Sequence, residues 1–262
     1  MGGYLARRVH EEYIDEYMVM EYMDFELKHP SFLVLGLPDA GMVGSITAMH
    51  LIKILNMNEV GGIDSYRLPP IAVVHKGEVK PPIRVFASEN VMVIISEITP
   101  PAQAIYSLAY LITEYALRKG IGCVVSSTGL PAPNRLDLEK LHVYAVPSNN
   151  RALELAKKAN IEVFKGGYLV GPYAAVLKEC IKRRVPNLVL LAESFLEFPD
   201  PEASAAIVTA FGKILGIELN VGELLEQAEV IKLKLRDHMK SVTRMMAQMQ
   251  KGYEHKVPLV YM

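Results

Sequence analysis

Phe32-Leu-Val-Leu-Gly36 runs directly into Leu37-Pro-Asp-Ala-Gly-Met-Val-Gly44, and this junction decides the fold. The first five residues are a short apolar run that stops at Gly36 and Pro38. From about Gly41 the apolar spacing becomes helical, carrying Met42, Ile46, Met49, Ile52 and Ile54 towards Leu55. A strand that is continuously apolar rather than alternating is covered on both faces, the mark of a parallel sheet between helical layers. The same unit recurs. Val91-Met-Val-Ile-Ile95 is followed by Pro100-Pro101 and by helical spacing from Ile105 to Ala116, ending at Gly120. Gly122-Cys-Val-Val-Ser126 then leads into a Gly/Pro loop from Gly129 to Pro133. Runs at 141–146 and 188–191 extend the series, with helical spacing over 151–159 and 173–182. The alternation predicts an α/β fold, a three-layer sandwich with a largely parallel sheet. Residues 61–83 hold Pro69, Pro70, Pro81 and Pro82 and read as a hairpin or an excursion at the sheet edge.

The C-terminal region changes character. Leu224, Ala228, Ile231, Leu235, His238, Val242, Met245 and Met249 recur at steps of four and three, a heptad seam on a long helix. The seam suits either a helix packed on its own domain or one packed against a neighbouring subunit. Gly252 is the expected helix stop, and Pro258 favours an extended chain after it. The expected organisation is an α/β domain over 1–222, an amphipathic helix over 223–252 and a flexible docking tail over 253–262. The last three residues, Val260-Tyr261-Met262, form a hydrophobic–Tyr–any ending; its bland reading is chance, since three residues match a loose pattern easily. An exposed apolar terminus is otherwise unusual.

Bulk properties narrow the function classes. With 262 residues, 51% of them hydrophobic, the chain can bury a sizeable core. A net charge of −1 gives no electrostatic reason to expect nucleic acid or an anionic membrane as partner. No run approaches the ~20 apolar residues of a membrane span, and the first 30 residues lack a signal-like apolar stretch. A cytoplasmic protein is expected. Cys123 and Cys180 are too few for a disulfide framework and read as buried thiols in a reducing compartment.

No constellation makes a convincing active site. The loop Gly36 to Gly44 joins a strand to a helix N-terminus, where free N–H groups can hold phosphate. Its spacing is neither the dinucleotide fingerprint nor a P-loop, and Asp39 would repel an anion. The structural reading has Asp39 capping the helix, Gly36 and Pro38 ending the strand, and Gly41 and Gly44 permitting close helix–sheet packing. Glu97 and Glu193 follow strands, where open α/β sheets place their sites; such acids more often cap helices or pair with basic residues. Ser126-Ser127-Thr128-Gly129 lacks the hydrolase elbow. The seven histidines show no metal-ligand spacing. No cofactor, metal or catalytic residue is expected.

Several segments together resemble the PAC2 family, the proteasome assembly chaperone family with archaeal homologues. They are the stretch from Phe32 to Ser45, Tyr106-Ser-Leu-Ala109, Ser127-Thr-Gly-Leu130, Gly167-Tyr-Leu-Val-Gly171 and the Ala-rich helix start at 200–206. The resemblance implies a sandwich related in topology to nucleoside phosphorylases and self-assembly into rings or dimers of dimers. It also implies ATP-independent binding to the 20S proteasome α subunits. Members with a hydrophobic–Tyr–any ending dock it between adjacent α subunits, and Val260, Tyr261 and Met262 match that pattern. The competing expectations are an activator or adaptor of mature 20S particles, and a nucleoside phosphorylase- or hydrolase-like enzyme using the Gly36–Gly44 loop.

Overall fold

Phe32–Gly36 (β3) is buried at all five positions. Its side chains divide between two cores, Leu33 and Leu35 into one, Phe32 and Val34 into the other. That is the two-residue period of a strand covered on both faces. This computed structural model describes residues 8–138 and 140–254. The side chains of 237, 238, 242, 246 and 248–254 fall outside the described set, as does the whole of the Val260-Tyr261-Met262 ending.

The chain opens with two strands, β1 (His10–Ile14) and β2 (Tyr17–Glu21), before β3. One 3-10 turn over Ala40–Met42 leads into α1 (Val43–Ile54). Then follow β4 (Asn58–Ser65), the small hairpin β5 (Val73–His75) and β6 (Glu78–Lys80), β7 (Ile83–Ser88) and β8 (Val91–Ser96). α2 (Ile105–Arg118) leads to β9 (Cys123–Pro131), β10 (Val143–Pro147), α3 (Asn150–Lys158) and the short β11 (Glu162–Val163). α4 (Pro172–Arg183), β12 (Asn187–Ser194), α5 (Pro201–Leu215), α6 (Gly222–Glu226) and α7 (Ala228–Glu254) complete the order.

Ten strands form one sheet in the order β1-β2-β4-β7-β8-β3-β9-β12-β10-β11. Its centre, β8-β3-β9-β12, is parallel throughout. Both flanks turn antiparallel, from β1 through β8 on one side and at β10 beside β12 on the other. The expectation of a largely parallel sheet therefore holds for the apolar centre, and the whole is mixed. α1, α3 and α5 cover one face, with Leu51, Ala152, Ile207 and Phe211 in its core. α2 and α4 cover the other, with Leu108, Ile112, Tyr173 and Val176. A mixed α/β sandwich results.

Two corrections concern the first 90 residues. Residues 61–83 are not wholly an edge excursion, because β4 lies inside the sheet between β2 and β7. Only β5–β6 stands apart, turning at Lys76 and Gly77, both at positive φ. The N-terminal pair β1–β2 carries Glu-rich faces that hide it from an apolar scan. It is tied to α2 by the Tyr115 hydroxyl, which donates to Glu21 Oε1 at 2.7 Å, and by Lys119 at 2.8 Å. At the far end, the expected C-terminal helix is broken at Gln227 into α6 and α7. α7 runs two residues past Gly252, within the ordinary variation of helix ends. Its seam residues Ile231 and Leu235 pack in cis, against the cluster of Met42, Ile46, Ala205 and Leu224 that Met239, one position off the seam, completes.

Phe211 tests the core beneath α5. Its ring meets Phe32 edge-on at 5.9 Å and is 1% exposed. Phe211→Ala is expected to destabilise the fold by about 3–5 kcal/mol, read as a lower urea midpoint at unchanged slope. A loss under about 1 kcal/mol would mean that this ring is not core.

Candidate functional site

The turn from Gly36 to Gly44 lies where open α/β sheets bind ligands, at the carboxyl ends of parallel strands. Here it is filled from within. A Cβ at Gly36 would stand 2.4 Å from that of Ala48, so glycine lets α1 lie against β3. Gly41 has φ +65°, and a Cβ there would meet the Phe195 carbonyl at 2.9 Å. At Gly44 a Cβ would fall 2.1 Å from the Tyr173 hydroxyl and 2.6 Å from the Ser127 carbonyl oxygen. Tyr173, from α4 on the opposite layer, accepts the Leu37 N–H at 2.8 Å and donates towards the Leu37 or Leu35 carbonyl. Pro38 is buried between these groups.

Asp39 is the N-cap residue of the 3-10 turn, without a side-chain bond to that turn, and the N-cap position of α1 itself is Met42, at φ 54°. The Asp39 carboxylate instead reaches forward to accept the Gly44 N–H at 3.1 Å, so an acid of the chain takes the place an anion would need. Asp39 is 2% exposed and its Oδ2 has no hydrogen-bond partner. Burial pushes its pKa well above the usual carboxylate range. Thr128, Gly44 and Gly129 pull the other way, though only Gly44 closes a bond of normal geometry. Above the turn, Met42 and Ile46 are covered by Leu224 of α6 and Met239 of α7. A strand-end site of the phosphate-binding kind is thus occupied by the protein's own carboxyl, hydroxyl and methionines.

One buried cluster escaped the sequence reading. Arg135 grips Asp200 with two bonds of 2.8 and 2.9 Å, adds Glu202 at 2.5 Å and lies over the Phe195 ring at 5.0 Å. Asp200 also caps α5 through the Ala203 N–H at 3.0 Å and accepts the Phe195 N–H at 3.1 Å. Its own N–H donates to the Gly41 carbonyl at 2.8 Å. The visible signal was Asp200-Pro201 as a helix start; nothing local announces Arg135, 65 positions away.

The other candidates serve structure. Glu97 pairs with Arg84 and lies 3.4 Å from the His75 ring. Glu193 accepts the His142 backbone N–H at 2.9 Å. They follow β8 and lie in β12, three strand spacings or roughly 14 Å apart across the sheet, so no acid–base pair forms. Burial pushes the Cys123 thiol up to about 12 and the Cys180 thiol to about 11, so neither is a thiolate at neutral pH. Among the described residues no three His, Cys, Asp or Glu side chains gather as a metal site. Likewise, no described helix is long and apolar enough to cross a membrane.

Asp39 makes the filled turn testable. The folded state keeps its proton to higher pH than an unfolded aspartate near 3.9 does. Its contribution is therefore lost as pH rises from the unfolded value to the raised one, and is constant above that. Asp39→Asn keeps the acceptor for Gly44 and cannot ionise. Urea midpoints between pH 4 and pH 8 should fall less in Asp39→Asn than in the wild type. Asp39→Ala, which orphans the Gly44 N–H, should lose about 1–3 kcal/mol. Parallel pH profiles for wild type and Asp39→Asn would contradict the account.

Comparison with known proteins agrees with this architecture. An uncharacterized protein of Methanocaldococcus jannaschii is 27% identical over 240 residues, 92% of this chain and 98% of its own. The crystal structure of Pyrococcus furiosus PbaA, an archaeal homologue of proteasome-assembly chaperone, superposes with a TM-score of 0.77 at 27% identity. The match covers 84% of this chain and 96% of that one. Pyrococcus furiosus PbaB, an archaeal proteasome activator, shares the fold with a TM-score of 0.72 at 22% identity, over 86% and 99% of the two chains. The model of the PAC2 family matches residues 33–239, from the central strand into α7. With most of its length matched in this way, the chain belongs to the PAC2 family.

Proposed function

We propose that this protein is a proteasome-binding factor of the assembly-chaperone kind, acting in the cytoplasm as a homo-oligomer and without ATP. The observation that carries the reading is the near full-length likeness to PbaA, a homologue of proteasome-assembly chaperone. The filled strand-end turn supports a binding role over an enzymatic one. On this reading the nucleoside phosphorylase topology is retained without the chemistry, and Asp39 and Tyr173 stand where a phosphate site would be.

The docking element is Val260-Tyr261-Met262, inserted into pockets between α subunits of the 20S ring. A terminal carboxylate pairs with a lysine through charge-assisted bonds. The tyrosine brings apolar area with few rotamers to freeze. Val260 fills an apolar subsite, and Pro258 lowers the entropy lost on docking. A single such peptide binds weakly. Several displayed by one oligomer bind through effective concentration. An activator of mature particles would use the same chemistry, so the two roles separate only by which particle is bound.

Deleting Val260–Met262 should abolish co-purification with free α subunits or 20S particles while the oligomer stays intact. Tyr261→Ala should weaken capture by roughly tenfold or more. Run against α rings and mature 20S in parallel, the pull-down assigns the role. Unchanged capture by the truncated chain would sink the docking reading.

A further inference from the structure

A groove of about 930 Å³ runs over α5, bordered by α6, by the end of α3 and by the start of β10. Its volume is that of a small-molecule site. Ala205, Ala206 and Ala210 of α5 line it, and their short side chains leave space that larger residues would fill. Leu141 and Val143 of β10 and Val221 at the start of α6 supply apolar walls. Each of these three packs against the core beneath, so the walls are fixed in place. Leu225 of α6 adds an exposed apolar side chain.

The charges along the groove are not equally available. Its two acids are already met within the chain, Glu202 by Arg135 and Glu162 by Lys165. Arg135 is also held by Asp200, and Lys157 pairs with Glu154. Lys140 and Lys213 line the same groove, both are exposed, and neither enters an ion pair among the described residues. An apolar trough whose unpaired charges are two lysines suits a ligand with an apolar body and an anionic end.

We propose that this groove binds an amphipathic anion, an aliphatic carboxylate or phosphate monoester. Its chain lies against Ala206, Ala210 and the walls from β10 and α6, and its headgroup is drawn to Lys140 and Lys213. Burial of the chain drives binding. The lysines select the sign of the headgroup, since a contact between exposed charges contributes little by itself. The site uses no residue of the Val260-Tyr261-Met262 ending, so it stands or falls apart from the proposed function.

Calorimetric titration of the full chain with decanoate, decyl phosphate and decanol tests the site. At least one of the two anions should bind at one site per chain, about tenfold more tightly than uncharged decanol at low salt, and the preference should shrink at high salt. Ala206→Phe, which fills the groove, should abolish binding with circular dichroism unchanged. Lys140→Gln with Lys213→Gln leaves the apolar walls intact and should bring the anion down to the affinity of decanol. Lys140→Arg with Lys213→Arg should keep the preference. Absence of binding by either anion, decanol binding as tightly as both, or an affinity indifferent to Ala206→Phe and to the glutamine pair would overturn the site.

Discussion

Asp200 is the point on which the strand-end architecture depends. Its side chain is fully buried and satisfied four times, by two nitrogens of Arg135 and by the amides of Phe195 and Ala203. Its own amide holds the Gly41 carbonyl. One residue thereby fixes the loop after β9, the turn from β12 into α5 and the turn from β3 into α1. A buried ion pair is weak evidence for net stability, since desolvation offsets most of the Coulomb gain. Removing one partner is another matter, because the survivor is left charged in a dry site. The pair therefore specifies how three loops meet more than it adds to the total free energy.

Asp39 sits near the same turn with the opposite balance. Asp200 is met by a cation and stays paired; Asp39 is met by amides and a hydroxyl, and burial dominates. Neither is exposed to solvent, and α6 and α7 close over the neighbouring Met42 and Ile46. An α/β sheet normally keeps this edge open, because loops at strand ends can carry chemistry without disturbing the core. In this chain the edge is filled by the protein's own side chains.

Much of this was legible beforehand. β3, β8, β9 and β12 could be read because they are apolar on both faces, which only burial on both sides explains. Gly41 and Gly44 of the β3–α1 turn were read as packing devices, and the close approaches there have that physical form; the tight contact of Gly36 with Ala48 was not foreseen. β1 and β2 were not legible, because β1 carries Glu11 and Glu12 and buries only Ile14, and because Glu21 of β2 is itself buried against Tyr115 and Lys119. β4 was obscured by glycine: Gly61 lies at a register shift, where a Cβ would meet the Met20 carbonyl at 2.5 Å. The Arg135–Asp200 pair is a contact between distant positions, and no local spacing encodes it. Asp39 was read as a cap from its place before a helix; it precedes the 3-10 turn, and because Gly41 and Met42 are left-handed its carboxyl reaches past that turn to the Gly44 N–H in the first turn of α1.

α7 joins parts of the molecule that the sheet keeps apart. Met239 lies in the cluster with Met42 and Ala205 beside α5, and Met245, six residues or roughly 9 Å further along, belongs to the larger core that also holds residues of α2 and α4. The helix is a tie rod anchored at both ends of that interval. A pull applied beyond Glu254 along the helix axis is shared between the two layers and loads both contacts in shear, instead of peeling one helix from one surface. A helix seated in two core clusters must lose buried contacts in both before it comes away from the body.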